Sequence, residues 1–201
     1  PPRRSRSYSR HLPRRRTRAR PSGRRARPAP RAPQSVRALA ADLAGQPLDL
    51  LVLNAGVYLD KGQSIDGGFA PELWAETFAV NVTGTFLVAQ ALLPNLRAVG
   101  GKIAIISSQM GSSERASGGG YIYRASKAAE ISLGRNLAVD LGPERIAVGI
   151  YHPGWVRTDM GGSAADIDAD TAALGLWKRF EDLSMDTTGT FEFYDGASIP
   201  F

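Results

Sequence analysis

Three short apolar runs constrain this chain more than anything else in it. Residues 48–53, 102–107 and 146–151 are dominated by Leu, Ile, Val and Ala. Such near-continuous runs suit strands buried on both faces, as in a parallel sheet. Each run ends in small or polar residues: Asn54-Ala55-Gly56, Ser107-Ser108 and, after 151, Pro153-Gly154. Between them lie stretches of helical period. Residues 35–44 carry Val36, Leu39 and Leu43, with Ser35 as N-cap and Gly45 as C-cap. Residues 71–96 read as a long helix that Pro94 bends or ends. Residues 121–141 are a helix with Ile122, Ala125, Ala129, Leu133 and Leu137 as its core side, stopped by Gly142-Pro143. Residues 171–183 form another helix, and 191–193 a short last strand. Strand and helix alternate, so the fold class is α/β: a parallel sheet of about four strands, helices on both faces, and right-handed crossovers. Ligands of such sheets bind beyond the carboxyl ends of the strands. The polar clusters fall at those ends.

Charge divides the chain in two. The formal net charge is +6, yet residues 1–33 hold 13 arginines and no acid, so 12 basic and 19 acidic residues leave −7 for 34–201. The arm is Arg, Pro, Ser, Ala and Gly with no hydrophobic period, and it is expected to be disordered. One reading is an arm for nucleic acid or an anionic surface, but its only aromatic is Tyr8, so stacking on bases is not supported. Seven prolines oppose the amphipathic helix of a transit sequence. A GC-rich gene read out of frame yields the same residue mixture. With no cysteine and two distant histidines, His11 and His152, thiolate chemistry and a histidine metal site are not expected. No apolar run near 18 residues is found, and a cytoplasmic protein without membrane contact is the expectation.

Tyr123 and Lys127 are four apart on the 121–141 helix and share a face. A free phenol, with a pKa near 10, is about 0.1 % ionised at neutral pH. A neighbouring ammonium favours the phenolate. The pair is a candidate acid/base for a carbonyl/alcohol couple.

Leu53-Asn54-Ala55-Gly56, Asn81-Val82-Thr83-Gly84, Ser107-Ser108-Gln109-Met110-Gly111, Tyr123-x-x-x-Lys127 and Pro153-Gly154-Trp155-Val156-Arg157-Thr158 occur in this order. Together they resemble the short-chain dehydrogenase/reductase family, with most similarity to its sniffer-like and C-factor-like carbonyl reductases, over about 34–201. The resemblance implies a Rossmann-type sheet and an NAD(P)-dependent oxidoreductase acting on a small carbonyl or alcohol. It implies that Tyr123 is the acid/base and that Lys127 lowers the tyrosine pKa and binds the nicotinamide ribose. Ser108, with Ser107 as second choice, would bond the substrate oxygen. Asn81 would hold a proton-relay water. Asn54, Ala55 and Gly56 would line the adenine-ribose side, and Pro153, Gly154, Val156 and Thr158 the nicotinamide amide. Homo-oligomers would form through the helices at 72–98 and 121–141.

The family's opening strand, Thr-Gly-x-x-x-Gly-x-Gly turn and helix have no counterpart in the 201 residues. Those glycines let a backbone approach the pyrophosphate. The expectation is therefore an N-terminally truncated, incomplete Rossmann-type domain with strand 48–53 as a bare edge. Binding of NADP or NAD would be impaired and activity lost or slight. A non-enzymatic partner-binding derivative, or a nucleic-acid binder through 1–33, are the alternatives.

Overall fold

The computed structural model describes residues 32–201. The expected disorder of the basic arm lies almost wholly outside the described residues.

Five helices and four strands alternate. They are α1 (Ala32–Asp42), β1 (Leu50–Leu53), α2 (Pro71–Phe78), α3 (Thr85–Arg97), β2 (Lys102–Ile106), α4 (Tyr121–Leu141), β3 (Val148–His152), α5 (Ala169–Asp182) and β4 (Phe191–Phe193). The strands form one parallel sheet in the order β1-β2-β3-β4, with Leu51 opposite Ile103, Ile105 opposite Ile150 and Ile150 opposite Phe191. This is the Rossmann-like α/β arrangement that the apolar runs imply. Among the described residues β1 has a strand on one side only, and its Val52 is 40 % exposed.

Both faces of the sheet are covered. Leu51, Leu53, Ile103, Ile105 and Val148 pack against Leu92 and Leu96 of α3 and Ala138 and Leu141 of α4. On the other face Ala104, Ile106 and Tyr151 meet Phe180 of α5. Fully burying a Leu or Ile stabilises by about 1.5–3 kcal/mol, which is why the apolar runs pair in this register.

Three details differ from the sequence reading. Ser35 lies inside α1 rather than at its N-cap. Pro94 does not end its helix, which runs on to Arg97. Asn95 donates to Leu43 O and Gln46 O at 2.6 and 2.7 Å, and Leu96 is fully buried, so tertiary contacts hold the last turn. On α4 the buried stripe is Ile122, Tyr123, Ser126, Lys127, Glu130, Ile131, Gly134, Ala138 and Leu141; Ala125, Ala129, Leu133 and Leu137 are only half-buried. Gly134 sets this rotation. A Cβ there would come within 2.7 Å of Ile150 and 3.1 Å of Ile105, so the helix rests on the sheet at this residue.

Residues Ala79–Gly84, between α2 and α3, form a π-helical segment. Such segments occur often at functional sites, and this one carries Asn81. The continuous rod Pro71–Arg97 spans 27 residues and is long and apolar enough to cross a bilayer by length and composition alone, contrary to the sequence expectation. Its buried Asn81, Thr85 and Asn95 bond within the domain. The rod therefore behaves as a packed helix of this fold.

Gly134→Val should push α4 off β2 and β3 and cost about 1–3 kcal/mol, as overpacking does. Urea unfolding checks this; an unchanged midpoint would mean the close approach is not needed.

Candidate active site at the carboxyl edge of the sheet

The first turns of α4 cross the carboxyl ends of β2 and β3. Gly111 allows the crossing: a Cβ on it would lie 2.6 Å from the Lys127 carbonyl carbon. The helix start has an unusual cap. Gly120, at the N-cap, is left-handed and supplies no side chain. Asp60 supplies it from 60 residues upstream, accepting the Ile122 and Tyr123 N–H at 2.8 and 3.2 Å. Asp60 is fully buried, and a carboxylate at a helix N-terminus faces the positive end of the helix dipole. Tyr58, two residues earlier, stacks on Tyr123 with ring centroids 4.2 Å apart and planes 16° apart.

Asn81 ties the same loop to α4. Its Oδ1 accepts from Val57 N at 2.8 Å, and its Nδ2 donates to Val57 O and to Ser126 Oγ at 3.0 and 2.9 Å. The Asn81 carbonyl accepts from Thr85 Oγ1 at 2.8 Å. All three segments thus lock to one another through amides rather than through packing alone.

Tyr123 and Lys127 are both buried, 7 % and 4 % exposed. The Ser108 hydroxyl lies near enough to the Tyr123 phenol to favour its ionised form, and the Lys127 ammonium lies 5.7 Å from the Tyr123 ring centre. The ammonium donates to Ile106 O at 3.1 Å and pairs with Glu130 at 2.6 Å. Ser107, the second-choice serine, turns inward and donates to Lys127 O at 3.0 Å. Ser108 Oγ accepts from Met110 N and caps the short 3-10 turn Gln109–Gly111.

The net shift on Tyr123 is upward: burial raises its pKa to about 12, Ser108 opposes this, and Glu130 and Tyr58 add to the rise. The physical reason is that burial takes the phenol out of water and penalises its charged form. At neutral pH Tyr123 is therefore a hydroxyl, poised to give a proton.

The remaining predicted residues spread outward from this centre. Asn54 and Ala55 are exposed at the end of β1, and Gly56 is half-buried. A Cβ on Gly56 would lie 3.3 Å from Lys127 Nζ and 3.6 Å from Asn81 Oδ1, so glycine keeps the ammonium's flank open. Pro153 and Gly154 follow β3, with Gly154 at φ +89°. Val156 pairs with Ile167, and Thr158 Oγ1 accepts from Gly161 N at 3.1 Å, so these two belong to an outer turn with no contact to Tyr123 described. Trp155 is 48 % exposed and is not core. His152 is buried, its ring nitrogens bond nothing among the described residues, and burial with Arg115 and Lys127 nearby lowers its pKa to about 4.

Sequence reasoning missed Tyr58, Asp60 and Glu130. Glu130 was findable, standing three residues after Lys127 on the same helical face. Asp60 was not, because nothing local links a loop acid to a helix start 60 residues away.

Two outcomes follow from this geometry. Asp60→Ala should cost about 1.5–3 kcal/mol and selectively expose the Ile122 and Tyr123 amides to hydrogen exchange; unchanged protection would refute the cap. His152 has a folded-state pKa below the unfolded 6.5, so its contribution is present above pH 6.5 and lost as pH falls through about 4. His152→Asn should flatten the stability loss over that window by up to about 3 kcal/mol, read from urea midpoints.

A family model described as short chain dehydrogenase matches residues 27–168. The C-signal of Myxococcus xanthus is 36 % identical over 168 residues, covering 83 % of this chain and 100 % of that protein. The 1-hydroxy-2-glutathionyl-2-methyl-3-butene dehydrogenase of Rhodococcus sp. (strain AD45) is 37 % identical over 174 residues, covering 83 % and 75 %. Among solved structures, the carbonyl reductase Sniffer of D. melanogaster superposes with a TM-score of 0.77 at 30 % identity, covering 85 % of this chain and 73 % of that one. An NADPH-bound carbonyl reductase from chicken fatty liver gives 0.76 at 29 % identity, covering 85 % and 72 %.

Proposed function

The chain belongs to the short chain dehydrogenase family, and on that premise we propose that it is an NAD(P)-dependent oxidoreductase of the carbonyl reductase type acting on a small carbonyl. The observation that carries this reading is a buried Tyr123 under the influence of Ser108, with the Lys127 ammonium 5.7 Å from its ring and one turn further along α4, at the carboxyl edge of the sheet. NADP is favoured over NAD only insofar as NADPH stands in a similar carbonyl reductase.

Tyr123 and Ser108 would both offer a hydroxyl donor to one substrate oxygen. A bound nicotinamide dinucleotide supplies the hydride in reduction and accepts it in oxidation. Charge then develops on the oxygen, where hydroxyl donors stabilise it. Tyr123 delivers its proton to that oxygen and takes it back in the reverse reaction. Burial keeps Tyr123 protonated at neutral pH, the form that donates. Lys127 has three N–H bonds; Ile106 O and Glu130 take two, and the third, beside the open flank at Gly56, suits the nicotinamide ribose. Asn54 and Ala55 would face the adenine ribose, and Pro153, Gly154, Val156 and Thr158 the carboxamide. Asn81 acts through its amide, which aligns the Val57 loop with α4, and through the relay role that the family resemblance suggests.

We keep residues 1–33 as an arm and 34–201 as the catalytic domain. Since the 201 residues contain no glycine-rich pyrophosphate turn, the nucleotide is held by its nicotinamide half and its affinity is weak. Self-association would use the helices at 72–98 and 121–141, where Trp74, Phe86 and Val139 are exposed. One observation favours a second reading, a partner-binding derivative: a relative named C-signal aligns over its whole length.

NADPH fluorescence titration of the chain should give a Kd weaker than about 100 µM; low-micromolar binding would overturn the weak-affinity proposal. At saturating NADPH, Tyr123→Phe should reduce carbonyl turnover about 10²–10⁴-fold without moving the unfolding midpoint. A variant within tenfold of the parent would remove Tyr123 from the acid role, and a parent with no turnover at all would favour the second reading.

A further inference from the structure

Glu130 is a fully buried carboxyl in direct contact with the site, and the reaction proposed above gives it no part beyond pairing with Lys127. Its Oε2 meets the Lys127 ammonium at 2.6 Å. Its Oε1 lies 3.4 Å from Thr85 Oγ1. A threonine hydroxyl has one proton, and Thr85 gives it to Asn81 O at 2.8 Å. Ser107, the other hydroxyl near the carboxyl, gives its proton to Lys127 O. Both hydroxyls therefore spend their proton chiefly on a backbone carbonyl and give the Glu130 carboxylate only minor support. Its main partner is the ammonium, the cation that Tyr123 also needs.

The geometry points to Glu130 as a proton-switched positioning residue: ionised, it holds the Lys127 charge to itself, one turn away from Tyr123; protonated, it keeps its proton and turns its O–H toward Thr85 Oγ1 as a hydrogen-bond donor, leaving the Lys127 charge acting on the phenol. This rests on the reading of Tyr123 as the acid/base and adds regulation of that acid by pH. Supporting it, burial raises the Glu130 pKa to about 7, with Lys127 opposing, which places the switch near neutrality. The ionisable groups around the pair are Lys127 and Tyr123 on α4, Tyr58 and Asp60 from the loop after β1, and His152 at the end of β3. His152 is neutral at this pH. Asp60 is engaged by two backbone amides. Lys127 and Glu130 therefore remain the opposed charges nearest the phenol.

The test needs no turnover. In the full chain labelled with ¹³Cζ-tyrosine, the Tyr123 resonance is assigned by its loss in Tyr123→Phe. Glu130→Gln mimics the protonated carboxyl and should move the Tyr123 titration down by about one pH unit or more, a tenfold rise in acidity. A titration within about 0.3 pH units of the parent would overturn the proposal. Should the variant not fold, the parent is followed instead from about pH 5 to about pH 9. The Tyr123 resonance should then step together with the Glu130 ¹³Cδ resonance, and a flat response would overturn the switch. A positive result without NADPH turnover would defeat the functional reading and leave this inference standing; turnover with no coupling would do the reverse.

Discussion

Burying an ammonium beside a sheet edge is the constraint from which the rest of this site follows. Glycines at 111 and 134 let α4 lie against the strand ends and the loop that crosses them. That closeness takes Lys127 out of water. A charge so placed must be paired and hydrogen-bonded, and Ile106 O and Glu130 meet the requirement. The same burial desolvates Tyr123 and keeps it a hydroxyl. Acid, cation and counter-charge are thus three consequences of one packing event.

The site is held by backbone rather than by bulk. Asn81 offers an amide that matches the amide of Val57 at both ends, and it reaches Ser126 as well. Asp60 closes the free N–H groups at the start of α4. A helix end needs such partners, and here the partner is borrowed from the loop that also stacks Tyr58 on Tyr123. The orientation of the phenol therefore depends on a loop far away in sequence.

Much of the fold was legible because the strands are buried on both faces and so read as unbroken apolar runs. The bounds expected for the 121–141 helix agree with α4, since Gly120 and Gly142-Pro143 punctuate it locally. The expected stop at Pro94 failed because Asn95 and Leu96 hold the last turn through contacts from α1 and the segment after it. The core stripe of α4 was misread for a related reason. Hydrophobic period favours Ala125, Ala129 and Leu133, whereas the close approach at Gly134 goes with a buried stripe that includes Ser126, Lys127 and Glu130.

The sequence alone determined the strand–helix alternation, the order of the polar clusters and the one-turn spacing of Tyr123 and Lys127. Each of these is local: it depends on side-chain period, turn chemistry and residues within a turn of one another. Only the tertiary structure decided which way the tyrosine's acidity moves, that Asp60 starts the helix, and that Glu130 competes for the lysine. Those outcomes depend on how much water is excluded and on which charges end up within a few ångströms, and chain distance carries no record of either.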